Sequence, residues 1–163
     1  MKVIVNGANG TVGAEVTKLV KSGYQNTEVY ALVDENFNNS DAEQTYSDLA
    51  FCVKGADVII DFSHHSVTAK LCKYAEKTNT PVVIATTGQT EEELELIKDT
   101  AKKVPVFYSG NMSIGIVLLI ELAQKAVSVM TDADVEIVET HHNRKLDAPS
   151  GTALMIANAI KEV

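Results

Sequence analysis

The sequence predicts an α/β fold built on a doubly wound parallel sheet. Short apolar runs rich in β-branched residues alternate with longer amphipathic stretches, which is the pattern of successive βαβ units. A glycine-containing loop follows the first apolar run, and an acidic residue follows the second. Right-handed crossovers place the helices of such a chain on both faces of the sheet.

The short apolar runs are predicted strands because each is brief and apolar on both faces, as a covered sheet requires. They span residues 3–5, 29–33, 58–60, 82–85 and 104–108. Helical spacing of apolar residues predicts helices between them, one with Val12, Val16, Leu19 and Val20 on one face and one with Leu94, Ile97 and Ala101. Residues 36–48 are polar and predict a surface excursion.

The C-terminal third predicts a second structural region. Residues 114–129 are apolar around most of the helix circumference, which predicts a buried helix. Apolar alternation at 133–140 predicts a strand leading out of the first domain, and Pro149 followed by Ser150 predicts a capped final helix. That helical pattern runs to Val163, so we expect further chain beyond it.

Composition narrows the possible partners. The 163 residues carry 14 basic and 22 acidic side chains, a formal net charge of −8, which opposes binding to nucleic acid. No run is long and apolar enough for a membrane span, and no leader pattern follows Met1. Cys52 and Cys72 lack metal-ligand spacing and predict buried, reduced thiols in a cytoplasmic protein without a bound metal.

The loop "NGANGTVG" predicts a dinucleotide site. Gly7, Gly10 and Gly13 lie between the first strand and first helix, where glycine lets the backbone approach a pyrophosphate at the helix N-terminus. Asp34, at the end of the second strand, is placed to accept hydrogen bonds from the adenosine ribose. Glu35 follows it where an arginine would receive a ribose phosphate, which favours NADH over NADPH. The alternative is a glycine turn that only packs helix on strand.

Two later loops, "ATTGQT" and "SGNMSIG", also follow predicted strands. Ligands of open α/β sheets bind at the carboxyl ends of strands, so these loops are suited to lining a nicotinamide and its reaction partner. Ordinary strand-to-helix turns are the alternative. His64 and His65 occupy an equivalent loop and are interpreted as loop residues.

The stretch "ETHHNRKLDAPSGTA" predicts an anion site with a proton source. The start of the final helix offers unpaired N–H groups and hydroxyls from Ser150, Gly151 and Thr152. Positive charge and protons come from a few residues earlier, namely His141, His142, Arg144 and Lys145. Adjacent histidines point different ways on a strand, which argues against shared metal binding. A solvated loop before a capped helix is the alternative.

The run "HHNRKLDAPSGTA" closely resembles the signature of the 4-hydroxy-tetrahydrodipicolinate reductase family, also called dihydrodipicolinate reductases. "GANGTVG", "DFS", "ATTG" and "NMSIG" follow the family order, so the resemblance covers essentially the whole chain. It implies an NADH- or NADPH-dependent reductase of lysine and diaminopimelate biosynthesis. It also implies a Rossmann-like nucleotide domain at 1–112 and, at 113–163, the beginning of a smaller α+β substrate-binding and oligomerisation domain, without the family's remaining strands and closing helix.

The resemblance also implies roles for individual residues. His141 and Lys145 would handle the proton, with Lys145 the direct donor. A dicarboxylate substrate would be bound by His142, Ser150, Gly151, Thr152 and Thr87. The cofactor would contact Gly7, Ala8, Asn9, Gly10, Thr11, Val12, Asp34, Ala85, Thr86, Thr87, Ser109, Gly110, Asn111 and Met112. Family members are typically homotetramers.

Two other functions remain open at this point. One is a non-catalytic NAD(H)-binding module, left without the scaffold that presses the substrate onto the nicotinamide. The other is a different Rossmann oxidoreductase acting on a small dicarboxylate. Both would keep the glycine loop, whereas only the reductases would turn over the aldolase product.

Overall fold

The computed structural model describes residues 1–52, 55–143, 145 and 148–163. The chain divides into two compact units, Met1–Ser109 and Gly110–Val163. The boundary predicted after residue 112 lies shortly beyond this division and stays a prediction.

The first unit is built on a six-stranded parallel sheet. Its strands run in the order β3-β2-β1-β4-β5-β6, and each neighbouring pair is parallel. The strands are β1 (Lys2–Asn6), β2 (Glu28–Val33), β3 (Thr45–Tyr46), β4 (Val58–Asp61), β5 (Val82–Ile84) and β6 (Val106–Tyr108). This confirms the predicted doubly wound parallel sheet and all five predicted strands.

Both faces of the sheet are covered, as the unbroken apolar strands required. Successive side chains of a strand point to opposite faces, and in β1 the fully buried Ile4 belongs to one core while Val3 and Val5 belong to the other. Helix α1 (Thr11–Lys21) supplies Val20 to the second core. Helices α2 (Thr68–Thr78) and α3 (Glu91–Ala101) pack against the first core, which includes Leu71, Cys72, Ala75 and Ile97.

The segment predicted as a surface excursion contains an element that the pattern did not reveal. Residues Thr45 and Tyr46 form the short edge strand β3, which pairs with Leu32 and Val33 of β2. Two residues are too few to show a hydrophobic period, and the strand exists only because β2 offers it an open edge. The prediction for 36–48 was therefore incomplete.

The second unit contains two helices, α4 (Ile114–Val129) and α5 (Gly151–Ile160). They contact each other, and the Gln124 side-chain amide donates a hydrogen bond to the Ala159 carbonyl at 2.8 Å. The predicted cap is confirmed, since the Ser150 hydroxyl accepts a hydrogen bond from the Ala153 amide at 3.1 Å.

Two predictions for this unit were wrong. Helix α4 has no buried residue, and Ile114 is 86% exposed, because α5 is the element of this unit that packs against it and one helix covers one side. Residues 133–140 form no strand. A strand needs a neighbour with an open edge, and the regular elements described in this unit are helices, whose backbone groups are already paired.

The predicted burial of the two cysteines is confirmed, since Cys52 and Cys72 are both buried and unbridged. Burial raises the pKa of the Cys52 thiol to about 12. Across the part of the chain that the structure describes, no helix is long and apolar enough to cross a membrane.

Candidate functional site

The glycine loop brings the backbones of three segments into direct contact. Gly7 has a φ of +78°, and a Cβ there would lie 2.5 Å from the Phe62 carbonyl oxygen. A Cβ on Gly13 would overlap the Gly7 carbonyl. The Gly7 and Ala8 amides both donate to the Val33 carbonyl, at 2.8 and 3.0 Å. A side chain at Gly7 would push the loop away from the segment after β4, and one at Gly13 would push α1 away from the loop.

The start of α1 is open to an anion. Gly10 is the N-cap, and among the described residues no side chain caps this end and no acidic residue lies in its first turn. The Thr11 and Val12 amides therefore lie at a positive helix end that has no carboxylate of its own. The tight glycine backbone and the uncapped helix fit the pyrophosphate of a pyridine nucleotide.

Asp34 lies beside this loop. Its carboxylate accepts hydrogen bonds from the Asn9 amide at 3.2 Å and from the Asn36 amide at 3.1 Å. A cavity of about 380 Å³ adjoins it, lined in part by Gly7, Gly10, Asp34 and Glu35. The structure thus brings the glycine loop and both acidic residues to one cavity at the carboxyl ends of β1 and β2.

A buried polar cluster, formed by Asn6, Asp61, Ser63 and Thr86, was not found by sequence reasoning. The Asp61 side chain is 2% exposed and accepts three hydrogen bonds, from the Asn6 amide at 2.7 Å and from the Ser63 and Thr86 hydroxyls at 2.6 Å each. These residues lie at or just after the ends of β1, β4 and β5. A signal was present, because a polar residue closes each of these apolar runs.

This cluster and nearby backbone hydrogen bonds fix the start of the predicted "ATTGQT" and "SGNMSIG" loops at the end of the sheet. The Ala85 amide donates to the Asp61 carbonyl at 3.0 Å, and the Ser109 amide donates to the Ile84 carbonyl at 3.0 Å. Because the Thr86 hydroxyl is bonded to Asp61, its side chain faces the interior, whereas Thr87 is exposed.

The loop histidines have partners within the first unit. The His65 ring contacts the Glu93 carboxylate at 3.0 Å, and Glu93 belongs to the capping box that begins α3. This contact connects the "DFSHHS" loop to the helix that follows "ATTGQT". His64 caps a short 3₁₀ turn, His65–Val67, within this loop, and the interpretation of both histidines as loop residues outside the site stays a prediction.

In the second unit, one predicted cofactor residue meets one predicted substrate residue. The Asn111 side-chain NH₂ donates to the Thr152 hydroxyl at 2.9 Å, and the Asn111 side-chain oxygen Oδ1 accepts from the Ser113 backbone amide at 2.7 Å. The segment that contains Gly110 and Met112 is thereby tied to the start of α5.

Three of the predicted anion-site residues line a second cavity, of about 520 Å³. Its lining includes His141, Ser150 and Thr152, with Glu139 between them. Glu139 accepts hydrogen bonds from the Ser150 hydroxyl at 2.5 Å, the Ser150 amide at 2.7 Å and His141 Nε2 at 2.8 Å. The Ser150 hydroxyl and then His141 lower the pKa of Glu139 from 4.5 to about 2, so it is a carboxylate at neutral pH.

The other predicted residues of this region lie outside the lining of that cavity. His142 is exposed and Lys145 is half-buried, and the Lys145 amide donates to the His142 carbonyl at 3.2 Å. Gly151 is the first residue of α5 and is exposed. Arg144 lies outside the described residues.

In the second unit, a helix N-terminus and an imidazole adjoin one cavity, whose lining also includes the ionised Glu139 carboxylate. The α5 N-terminus carries the partial positive charge of a helix end, and His141 and Thr152 line the cavity there. Within the described ranges, no group of three or more histidine, cysteine or acidic side chains could hold a metal ion.

Comparisons with known proteins identify the family. Residues 1–112 match the family model "Dihydrodipicolinate reductase, N-terminus", and residues 115–163 match "Dihydrodipicolinate reductase, C-terminus". The chain is 50% identical over 163 residues to a 4-hydroxy-tetrahydrodipicolinate reductase of Caldanaerobacter subterraneus, and 38% identical to one of Clostridium perfringens. These alignments cover 100% and 99% of this chain and 64% of each relative, so the chain spans about two thirds of their length.

A solved structure agrees with the sequence comparisons. The dipicolinate-bound dihydrodipicolinate reductase from Paenisporosarcina sp. TG-14 is 30% identical, with a TM-score of 0.74 over 100% of this chain and 66% of that one. A probable dehydrogenase from Thermotoga maritima, 18% identical with a TM-score of 0.57, shares the fold. Because the N-terminal and C-terminal family models match in order along the chain, and the first unit has the parallel sheet and the expected glycine loop, this chain belongs to the dihydrodipicolinate reductase family.

Proposed function

We propose that this chain carries the nucleotide site and part of the substrate site of a pyridine-nucleotide-dependent reductase. Its substrate would be 4-hydroxy-tetrahydrodipicolinate, reduced to tetrahydrodipicolinate with loss of water. The observation that carries this proposal is the match of both family models to one chain that keeps the glycine loop and the "HHNRKLDAPSGTA" run. The relatives named for this activity are longer, so activity of the 163 residues alone is part of the proposal.

The two predicted domains, residues 1–112 and 113–163, have separate tasks in this proposal. Residues 1–112 bind the nucleotide, with the pyrophosphate at the start of α1 between Gly7 and Val12. The loops at 85–87 and 109–112 line its reducing end. Residues 113–163 begin the substrate domain, and the N-terminus of α5 receives a substrate carboxylate.

The substrate carboxylates are held by groups that offer N–H and O–H donors. Gly151 and Thr152 supply them at the start of α5, and His142 and Thr87 are further ligands. Ser150, whose own amide and hydroxyl donate to Glu139, contributes by holding this turn in place. A bound reduced nucleotide supplies the hydride. Lys145 delivers the proton that completes the reduction, and His141 assists by holding or relaying it.

The cofactor is a reduced pyridine nucleotide, and we propose a preference for NADH. Support comes from Asp34 and Glu35, which line the cavity beside the glycine loop, where a 2′-phosphate would meet two carboxylates. Replacing Asp34 with Asn keeps the side-chain shape and removes one negative charge. The ratio of kcat/KM for NADH to that for NADPH should then fall, while the same change at Asp132 should leave it unaltered.

We also propose that the protein is a homo-oligomer, a tetramer by the family resemblance. Support comes from α4, whose apolar side chains are exposed along its length, including Val117, Leu118 and Leu122. Large exposed apolar patches mark association surfaces. Light scattering across a range of protein concentrations measures the state directly.

The decisive experiment supplies NADH together with freshly generated aldolase product and follows the loss of reduced-nicotinamide absorbance. Turnover that requires both reactants supports the reductase. Tight NADH binding without turnover supports the alternative, a nucleotide-binding module. Turnover of a different small dicarboxylate, but not of the aldolase product, supports another oxidoreductase of the same fold.

A further inference from the structure

Glu139 lies at the junction of the proton-handling and anion-binding parts of the second unit, although sequence reasoning gave it no role. One carboxylate contacts His141, two residues later, and Ser150, eleven residues later. Ser150 is 5% exposed, whereas Glu139 and His141 side chains are 27% and 40% exposed. The carboxylate thus connects a buried helix cap to an accessible imidazole.

The contact with His141 determines which ring nitrogen carries a proton. A carboxylate can only accept hydrogen bonds, so the Nε2 atom at 2.8 Å from Glu139 must be the protonated nitrogen. In the neutral ring this leaves Nδ1 as the atom with a lone pair. Hence the contact sets both the orientation of the ring and the atom that can exchange a proton with a ligand.

The contacts with Ser150 determine where α5 begins. One carboxylate oxygen accepts from the Ser150 amide and the other from its hydroxyl, while that hydroxyl accepts from the Ala153 amide and caps the helix. The amides of Gly151 and Thr152 follow at once. Loss of Glu139 would therefore release the anion-binding turn and the imidazole together.

We propose that Glu139 is a positioning residue of this site, which holds His141 with Nε2 protonated and keeps the Ser150–Thr152 turn in place to receive a substrate carboxylate. This inference deepens the proposed reductase function and rests on it. Glu139 is not the acid of the reaction, because its three donors keep it ionised. Loss of the hydrogen-bond partner of a metal-bound histidine typically costs about 10- to 100-fold in activity, and we expect a loss of the same order for this imidazole.

Steady-state kinetics of Glu139→Gln, with Glu139→Asp and Asp134→Asn beside it, test this role. Glutamine presents an NH₂ group to partners that are all donors, so kcat should fall about 10- to 100-fold, with KM for NADH changed less than about twofold. Aspartate keeps the charge and should restore part of the loss. Asp134→Asn removes a charge from the same exposed segment and should behave as the wild type.

Nitrogen-15 NMR of the His141 ring provides a readout independent of turnover. The wild-type protein should show the Nε2–H form of the neutral ring, and Glu139→Gln should lose that preference. A wild-type ring in the Nδ1–H form would overturn the inference, whether or not the variants fold. An active wild type with unchanged kcat in Glu139→Gln would also overturn it, whereas an inactive wild type with the Nε2–H form would count against the reductase function alone.

Discussion

The Asp61 carboxylate accepts a hydrogen bond from the Thr86 hydroxyl at 2.6 Å, which ties the end of β4 to the loop after β5. The same carboxylate accepts from Asn6, at the end of β1. Two of the loops that we assign to the cofactor, those after β1 and β5, therefore start from one buried, hydrogen-bonded point. Rigid support of this kind fixes loop positions to the accuracy that ligand binding requires.

Replacing Thr86 with Val should destabilise the first unit. The two side chains have similar shapes, but valine removes a donor from a buried carboxylate, and a hydrogen bond to a charged group contributes about 1.5–3 kcal/mol. Urea denaturation should show a loss of that size in the free energy of unfolding. Thr86→Ser keeps the hydroxyl and should lose less unfolding free energy. Equal stability of the valine variant and the wild type would show that the hydrogen bond to Asp61 does not stabilise the first unit.

Replacing Gly13 with Ala should weaken nucleotide binding while leaving α1 helical. The new Cβ would overlap the Gly7 carbonyl, so the helix must move away from the loop that we assign to the pyrophosphate. We expect the Kd for NADH to rise at least about tenfold, or ~1.4 kcal/mol, in calorimetric titration. Gly115→Ala is the matched control, since the nearest atom there is the Ser113 hydroxyl at 3.6 Å; unchanged binding in Gly13→Ala would argue against this site.

Replacing Lys145 with Ala should lower turnover far more than cofactor affinity. Loss of a general acid typically costs about 10²- to 10⁴-fold in rate, whereas Kd for NADH should stay within about twofold, because the glycine loop belongs to the first unit. Stopped-flow kinetics and NADH titration separate the two effects. Lys125→Ala, on α4, serves as a charge-matched control. A large loss of NADH binding with normal turnover of the bound enzyme would refute the proton-donor role.

Stability should depend on Glu139 in a defined pH window. Its folded pKa of about 2 lies below the ordinary 4.5, so protonation favours the unfolded chain. The contribution is complete above pH 4.5 and is lost as the pH falls towards 2. The Tm difference between wild type and Glu139→Gln should therefore be largest near neutrality and shrink through that window. A difference that stays constant there would show that these contacts do not lower the pKa of Glu139.

Most of the fold could be predicted because its signals are local. Apolar runs predict the strands that contain Ile4 and Ile59. The residue type of Ser150 and the proline before it predict a helix cap. The close backbone contacts at Gly7 and Gly13 are likewise indicated by the residue type, because glycine has no side chain. The family resemblance followed from motifs in a fixed order, without knowledge of any distance.

The candidate site was only partly predictable, because many of its contacts join residues that are far apart in the sequence. The spacing of Glu139 and His141 was a usable signal, since residues two apart on an extended chain point the same way. The contact between Glu139 and Ser150 depends on how the chain folds back, and no periodic pattern in the sequence predicts it. Asp61 and Thr86 are likewise joined only because parallel strands end at one edge of the sheet.

By itself the sequence determined the order and kind of the main elements, the glycine turn and the family, because periodicity and residue size act over a few neighbouring positions. The tertiary structure alone decided that Thr45 pairs with β2, that residues 133–140 form no strand and that α4 has no buried residue. It also decided which donors converge on Asp61 and Glu139. Pairing, burial and hydrogen-bond partners depend on residues far apart in the chain, and only the folded backbone brings these together.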